Sequence, residues 1–230
     1  MKLNVKVEDI PFGTSIQEVA VPEVLKTKVP TGLTYFDDAL GGKGFTPSMV
    51  TLFIGTPGAG KTTMMLTLAN SIARSGNVAL FNTAEESLHQ IKMTTDRLRL
   101  RSSFLVGAET HVPTLLAGCD KIRAANPGKH FFLIVDSLQT LDDGYFNSGR
   151  ITSATAERAL QMLTNYAKEY AINVIVIGQV TKDGKMAGTQ KLKHMVDAMM
   201  ALDVERKDEE LRGCRVLTTE KNRFGGCRHP

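Results

Sequence analysis

The chain has 230 residues, 42% hydrophobic and 23% charged, a balance that suits a folded globular domain and excludes a disordered or fibrous one. Its net charge of +4 permits nucleic-acid binding without requiring it, so that case rests on local clusters. Cys119, Cys214 and Cys227 form no C-x-x-C pair, which points away from a zinc site or disulfide framework and toward reduced thiols.

Residues 1–30 hold three of the eight prolines and little periodicity, and are expected to form an arm or strap docking on a neighbouring subunit, with one ATPase domain over 31–230. Met1 to Phe12 lacks a signal-peptide core, and no apolar run approaches the roughly 18 residues of a membrane span. The expectation is a soluble, cytoplasmic protein with no membrane partner.

Leu33, Phe36, Asp37 and Leu40 fall at helical spacing and Gly41-Gly42 ends that helix. Met49 to Ile54 reads as a buried strand. The turn Gly55-Thr56-Pro57-Gly58-Ala59-Gly60-Lys61-Thr62 fits G-x-x-x-x-G-K-[ST]. Met64, Met65, Leu68, Ala69, Ile72 and Ala73 then predict a helix to Arg74. Strand, glycine loop and helix make the context in which the pattern binds a nucleoside triphosphate. Glycines let backbone N–H groups crowd a phosphate, and the helix N-terminus adds partial positive charge. Lys61 is expected on the β- and γ-phosphates and the Thr62 hydroxyl on Mg²⁺, with Thr63 completing the cradle and ATP as the cofactor.

Val78 to Thr83 predicts a second buried strand delivering Glu85 and Glu86, either of which could orient an attacking water. A helix is expected from about Leu88 to Leu100, a short strand at 104–106, and a helix through Leu115 and Ile122. Phe131 to Asp136 is an apolar strand closing on an acid, as a Mg²⁺-associated carboxylate is presented. Residues 141–153 read as a loop in which Tyr145, Phe146 and Arg150 offer either a stacking surface for unpaired bases or a core contact. A long amphipathic helix from about Thr155 to Tyr170 and a strand from Asn173 to Ile177 follow.

Gln179 ends that strand, either as a hydrogen-bond donor to a γ-phosphate or as a plain polar terminus. Residues 181–193 read as a loop whose Lys182, Lys185, Lys191 and Lys193 suit a phosphate backbone or a solvated surface. Two strands, Met199 to Val204 and Cys214 to Thr219, close the chain across the charged turn 207–213. The alternation predicts an α/β fold, a mainly parallel sheet flanked by helices, with its ligand at the carboxyl ends of the strands.

These residues resemble the ATPase core of the RecA-like recombinases, and among them the bacterial RadA (Sms) family. The likeness rests on Thr31-Gly32 to Gly41-Gly42, the nucleotide loop, Glu85-Glu86-Ser87 with Gln90-Ile91-Lys92, and Val135 to Thr140. It rests further on Val180 to Gly184, His194-Met195-Val196-Asp197 and above all Lys221-Asn222-Arg223-Phe224-Gly225. It covers roughly residues 29–226. The resemblance implies a RecA-like P-loop fold with Glu85 as catalytic base, Gln179 as γ-phosphate sensor and Arg97 against the adenine. It implies two DNA-channel loops at about 142–151 and 181–193, with Arg150 and the four lysines on DNA. Lys221 and Arg223 would act in trans, so that ATP sits between subunits of a hexameric ring or filament. A single-stranded DNA-binding protein is a further expected partner. The family's four-cysteine zinc module and Lon-like domain are not found, and Gln179 stands where histidine is usual, so a core-only relative in a phage or bacterial cytoplasm is expected. The implied activity is DNA-stimulated ATP hydrolysis in recombination or repair on single-stranded or branched DNA. The alternatives are a replicative-helicase-like motor, or an ATP-switched annealing protein with negligible turnover.

Overall fold

The computed structural model describes residues 10–145, 152–179 and 189–227. In chain order these form α1 (Glu23–Lys26), α2 (Thr34–Ala39), β1 (Val50–Gly55), α3 (Lys61–Arg74), β2 (Val78–Thr83) and α4 (Leu88–Arg97). There follow β3 (Leu105–Gly107), α5 (Val112–Ala125), β4 (Phe131–Asp136), α6 (Ser153–Tyr170) and β5 (Asn173–Ile177). The last elements are α7 (Thr189–Met195), β6 (Ala198–Val204) and β7 (Arg215–Asn222).

The strands make one sheet in the order β3-β2-β4-β5-β1-β6-β7. Every pairing is parallel except β6 with β7. β1, β2, β4 and β5 are buried along their whole length, which is why they read as continuous apolar runs rather than alternating ones. Alternate residues still face opposite layers. Val50, Leu52 and Ile54 pack with Leu115, Leu160 and Leu163 from α5 and α6, while Phe53 packs with Phe36, Leu68 and Ile72 from α2 and α3.

The segment before β1 is held by side chains rather than by ladders. Buried Asp37 accepts from the Thr31 backbone N–H at 2.9 Å and from its hydroxyl at 2.8 Å. The carbonyls of Ala39 and Leu40, left over at the end of α2, accept from Thr219 and Asn222 of β7. The described part of the arm carries a short 3-10 turn and α1, and a bridge from Val29 to Phe45 ties its end to the domain. Phe12, Ile16 and Val21 on it are exposed.

At the amino ends of the parallel strands sits Asp197, 3% exposed. It accepts from the Val50 N–H at 3.0 Å, from Lys168 of α6, and from Arg223 at 3.4 Å. One carboxylate thus joins β1, α6 and the segment after β7.

Several boundaries differ from the sequence reading. Residues 189–193, expected within a loop, begin α7, because Leu192 and Val196 bury themselves against the sheet. β7 runs to Asn222 rather than stopping at Thr219, since an edge strand tolerates Glu220 and Lys221 in a way a central one does not. α5 starts at Val112 with Pro113 in its first turn, where a missing N–H costs nothing.

At the far end of β1 the chain passes so close to β6 that a Cβ on Gly55 would lie 2.2 Å from the Leu202 carbonyl oxygen. Gly55→Ala must therefore push β1 and β6 apart, and should lower the unfolding free energy by about 1–3 kcal/mol. Denaturant titration of the two proteins checks this; an unchanged midpoint would contradict the close approach.

Candidate nucleotide site

Six parallel strands deliver their carboxyl ends to one edge, and the glycine loop opens there between β1 and α3. Gly60 precedes α3 with φ at +95°, a left-handed conformation that costs a side-chain-bearing residue about 1 kcal/mol or more. The loop folds through a turn closed by the Ala59 N–H on Thr56 O at 3.1 Å. Pro57, Gly58, Gly60, Lys61, Thr62, Thr63, Glu85, Asp136, Ile177 and Gln179 line a cleft of about 320 Å³ over it.

Lys61 folds back on its own loop, donating to the carbonyls of Gly55 at 2.8 Å and Thr56 at 3.2 Å. Partial burial holds its pKa below the usual lysine value, opposed by the nearby carboxylates of Asp136, Glu85 and Asp203. The ammonium is thus surrounded by acceptors and aimed at the cleft. Thr62 donates its hydroxyl to Asp136 Oδ2 at 2.7 Å, tying the start of α3 to the end of β4. Burial raises the Asp136 carboxyl to about 6, the Thr62 hydrogen bond working against that rise. A hydroxyl and a carboxylate so placed, beside a lysine, are the donor set for a divalent ion bridging phosphates. The residues present fit Mg²⁺ and a triphosphate.

Glu85 and Glu86 part company in space. Glu85 turns into the cleft, where its Oε1 accepts from the Ser137 hydroxyl and from the Gln179 amide, the latter at 2.7 Å. Glu86 lies outside the cleft lining, and its backbone N–H and C=O close on the Thr83 hydroxyl at 3.1 Å. The next residues start α4 with a capping box between Ser87 and Gln90. Arg97 ends that helix, exposed and outside the cleft lining.

Lys221 and Arg223 are not brought to this edge. The register Thr51–Ala198–Asn222 puts them near the start of β1, and the Arg223 N–H bonds Asp197 O, whose own N–H bonds Val50 O. That is about 16 Å along the sheet from Gly55, at some 3.3 Å per residue. Lys221 donates to the carbonyls of Lys193 and Val196, each at 2.7 Å, and Arg223 to His194 O at 3.2 Å.

Of the candidate DNA contacts, Arg150, Lys182 and Lys185 lie outside the described residues, as does Phe146. Lys191 and Lys193 stand on α7, paired with Glu157 and Glu220 respectively. Exposed pairs of this kind are worth little and yield readily to a competing anion. Tyr145 is 71% exposed, with the Arg158 guanidinium 5.0 Å from its ring centre.

Ser137, which holds Glu85, lies inside the Val135 to Thr140 segment, but the sequence alone assigns it no role. Asp203, which faces Lys61, and Arg215, which bonds the phosphate loop, carry no local sequence signal; register across strands brings them in.

Residues 29–101 match the family "ATPase: KaiC". DNA repair protein RadA of Mycobacterium tuberculosis H37Rv is 37% identical over 203 residues, 85% of this chain and 39% of that protein. RadA of Streptococcus pneumoniae is 33% identical over 211 residues, covering 91% and 47%. This chain therefore spans less than half the length of these relatives. Among solved structures, a DnaB-like replicative helicase superposes with a TM-score of 0.72 at 18% identity, over 88% of this chain and 60% of that one. A KaiC-like protein from Pyrococcus horikoshii superposes with a TM-score of 0.64 at 19% identity, over 88% and 92%. Among the described residues no helix is long and apolar enough to cross a membrane. With its parallel sheet, glycine loop and strand-end acids, the chain has the RecA-like fold, matches the KaiC ATPase family over residues 29–101, and is similar in sequence to RadA across most of its own length.

Proposed function

We propose that the chain is a DNA-stimulated ATP hydrolase that acts on single-stranded or branched DNA in recombination or repair, with its nucleotide shared between copies. The observation that carries this reading is the Gln179–Glu85 hydrogen bond. It joins a carboxylate fit to orient water to the residue that leads into the lysine-bearing segment 181–193.

Bound Mg²⁺–ATP would supply the phosphoryl group and a divalent charge that stabilises it. Lys61 would hold the phosphates, and Thr62 and Asp136 would hold the ion. Glu85 positions and deprotonates the attacking water. While the Gln179 amide and Ser137 hydroxyl both occupy Glu85 Oε1, that oxygen is taken. An amide that leaves it for a γ-phosphate oxygen removes one of the two donors on Glu85, making the carboxylate a stronger base when triphosphate is present. The segment after Gln179, with Lys182, Lys185, Lys191 and Lys193 as DNA contacts, then transmits DNA binding to the amide. Arg150 joins them from the earlier loop, and Arg97 is assigned to the adenine.

Lys221 and Arg223 lie too far from their own phosphate loop to serve it, which supports a role on a neighbour's nucleotide. A hexameric ring or filament meets that need, with single-stranded DNA, and a protein that coats it, as partners. The RadA relatives favour repair over the helicase reading, for which the likeness to a DnaB-like helicase speaks only through the fold.

Steady-state hydrolysis with and without a single-stranded oligonucleotide tests the proposal. Strong stimulation is expected, and Arg223→Ala should lower the stimulated rate about a hundredfold or more. Mixing Arg223→Ala with Lys61→Ala should restore hydrolysis, because each supplies what the other lacks. Rates indifferent to DNA and to Arg223 would overturn the reading.

Asp136 adds a pH-linked prediction. Its carboxyl titrates near 6 in the fold against 3.8 when free, so ionising it opposes folding. Its contribution to stability is fullest below pH 3.8 and declines as pH rises toward 6. Asp136→Asn should therefore stabilise the nucleotide-free protein at pH 7.5 by on the order of 1–2 kcal/mol while weakening Mg²⁺-dependent ATP binding. Thermal melts and ATP titrations with and without Mg²⁺ check both halves; a lowered melting temperature would contradict the first.

A further inference from the structure

Arg215 begins β7, which among the described strands alone starts at the nucleotide edge instead of ending there. Its Nε donates to the carbonyl oxygen of Ala59 at 2.9 Å. The guanidinium also approaches the next residue closely. A Cβ on Gly60 would meet Arg215 Nε at 2.9 Å and its Cζ and Nη2 at 3.5 Å. Contact this close is possible only because residue 60 has no side chain.

The Ala59 carbonyl belongs to the same planar unit as the Gly60 N–H, and in a trans peptide the two point in opposite directions. Among the described residues the Gly60 N–H donates to no backbone carbonyl, and Gly60 lines the cleft. One face of this peptide is therefore tied outward to Arg215 while its donor is left for the phosphates. A charged donor on the carbonyl polarises the whole unit and strengthens the N–H opposite it. The bond also fixes the plane. A Gly60 in the left-handed region has φ/ψ freedom that would otherwise let the peptide turn its carbonyl toward the phosphates, where it would repel them.

We propose that Arg215 is a positioning residue for phosphate binding: through the Ala59 carbonyl it holds the Ala59–Gly60 peptide with its N–H turned to the phosphates. This rests on the nucleotide reading of the cleft and adds to it a residue that the loop pattern does not contain. The requirement is for a donor reaching one carbonyl, so the length and hydrogen bonding of the side chain matter along with its charge.

Titrating fluorescent ATP and ADP analogues into the wild type and into Arg215→Ala, Arg215→Lys and Arg215→Gln tests this, with melting temperatures taken without nucleotide. Arg215→Ala should bind both analogues about tenfold more weakly, some 1.4 kcal/mol, with its melting temperature close to wild type. Arg215→Lys should recover most of the loss, and Arg215→Gln, a donor without charge, should recover part of it. Affinity within twofold of wild type in Arg215→Ala would overturn the proposal. A fall in melting temperature that accounts for the weaker binding, with no recovery in Arg215→Lys, would overturn it in favour of a structural role. Loss in Arg215→Gln equal to that in Arg215→Ala, with Arg215→Lys intact, would overturn the carbonyl route in favour of bare charge. A wild type that binds neither analogue, like a Lys61→Ala control, would instead sink the nucleotide reading itself.

Discussion

Parallel pairing is the constraint from which the site follows. When strands run the same way, whatever ends a strand arrives at the same edge, and whatever begins one arrives at the other. Gly55, Asp136 and Gln179 follow or end β1, β4 and β5, and Glu85 follows β2. They come from positions up to 124 residues apart in sequence, yet the register Gly55–Leu202 and Thr83–Asp136 aligns them without a dedicated contact. The hydrogen bond from Thr62 to Asp136 then ties the loop to the sheet, and Ser137 and Gln179 together fix Glu85. Sheet topology does the coarse placement and a few short side-chain bonds do the rest.

The electrostatics of the cleft are those of a site tuned for a polyanion. Burial raises the Asp136 carboxyl to about 6 and holds the Lys61 ammonium below its usual value. Both are pulled back toward their charged forms by one another. Desolvating the Asp136 carboxyl carries a local cost in stability, as is common at functional centres.

The fold class, the phosphate loop and the acid at the end of β4 were legible in the sequence because their signals are local. An apolar run, a glycine turn and a helical period sit within some 25 residues, and buried parallel strands announce themselves as unbroken apolar runs. Strand position leaves Glu85 and Glu86 open and only the resemblance prefers Glu85; in the fold, Glu85 turns into the cleft and Glu86 lies outside its lining. α7 was lost because seven residues hold too few turns to show a period, and its lysines read as loop composition. The end of β7 was lost because an edge strand is polar where it meets solvent. Arg215 lay beyond any sequence argument. Its role depends on being level with Val204 across an antiparallel ladder, two residues past the point where β1 becomes the loop.

β7 is antiparallel, and that one reversal has a consequence the parallel strands cannot produce. It begins beside the phosphate loop with Arg215 and ends at the opposite edge with Lys221 and Asn222, just before Arg223. A strand of eight residues is stiff over this length, and its ladder to β6 is continuous but for one irregularity between Met199 and Met200. In an assembly where Lys221 and Arg223 serve a neighbour's nucleotide, each β7 would therefore touch two sites, its own through a loop carbonyl and the next through two cations. A shift of the strand that improves one contact must change the other, and the coupling is reciprocal by necessity. Nucleotide binding at neighbouring sites joined in this way would be coupled, which a motor or filament needs and an isolated ATPase does not.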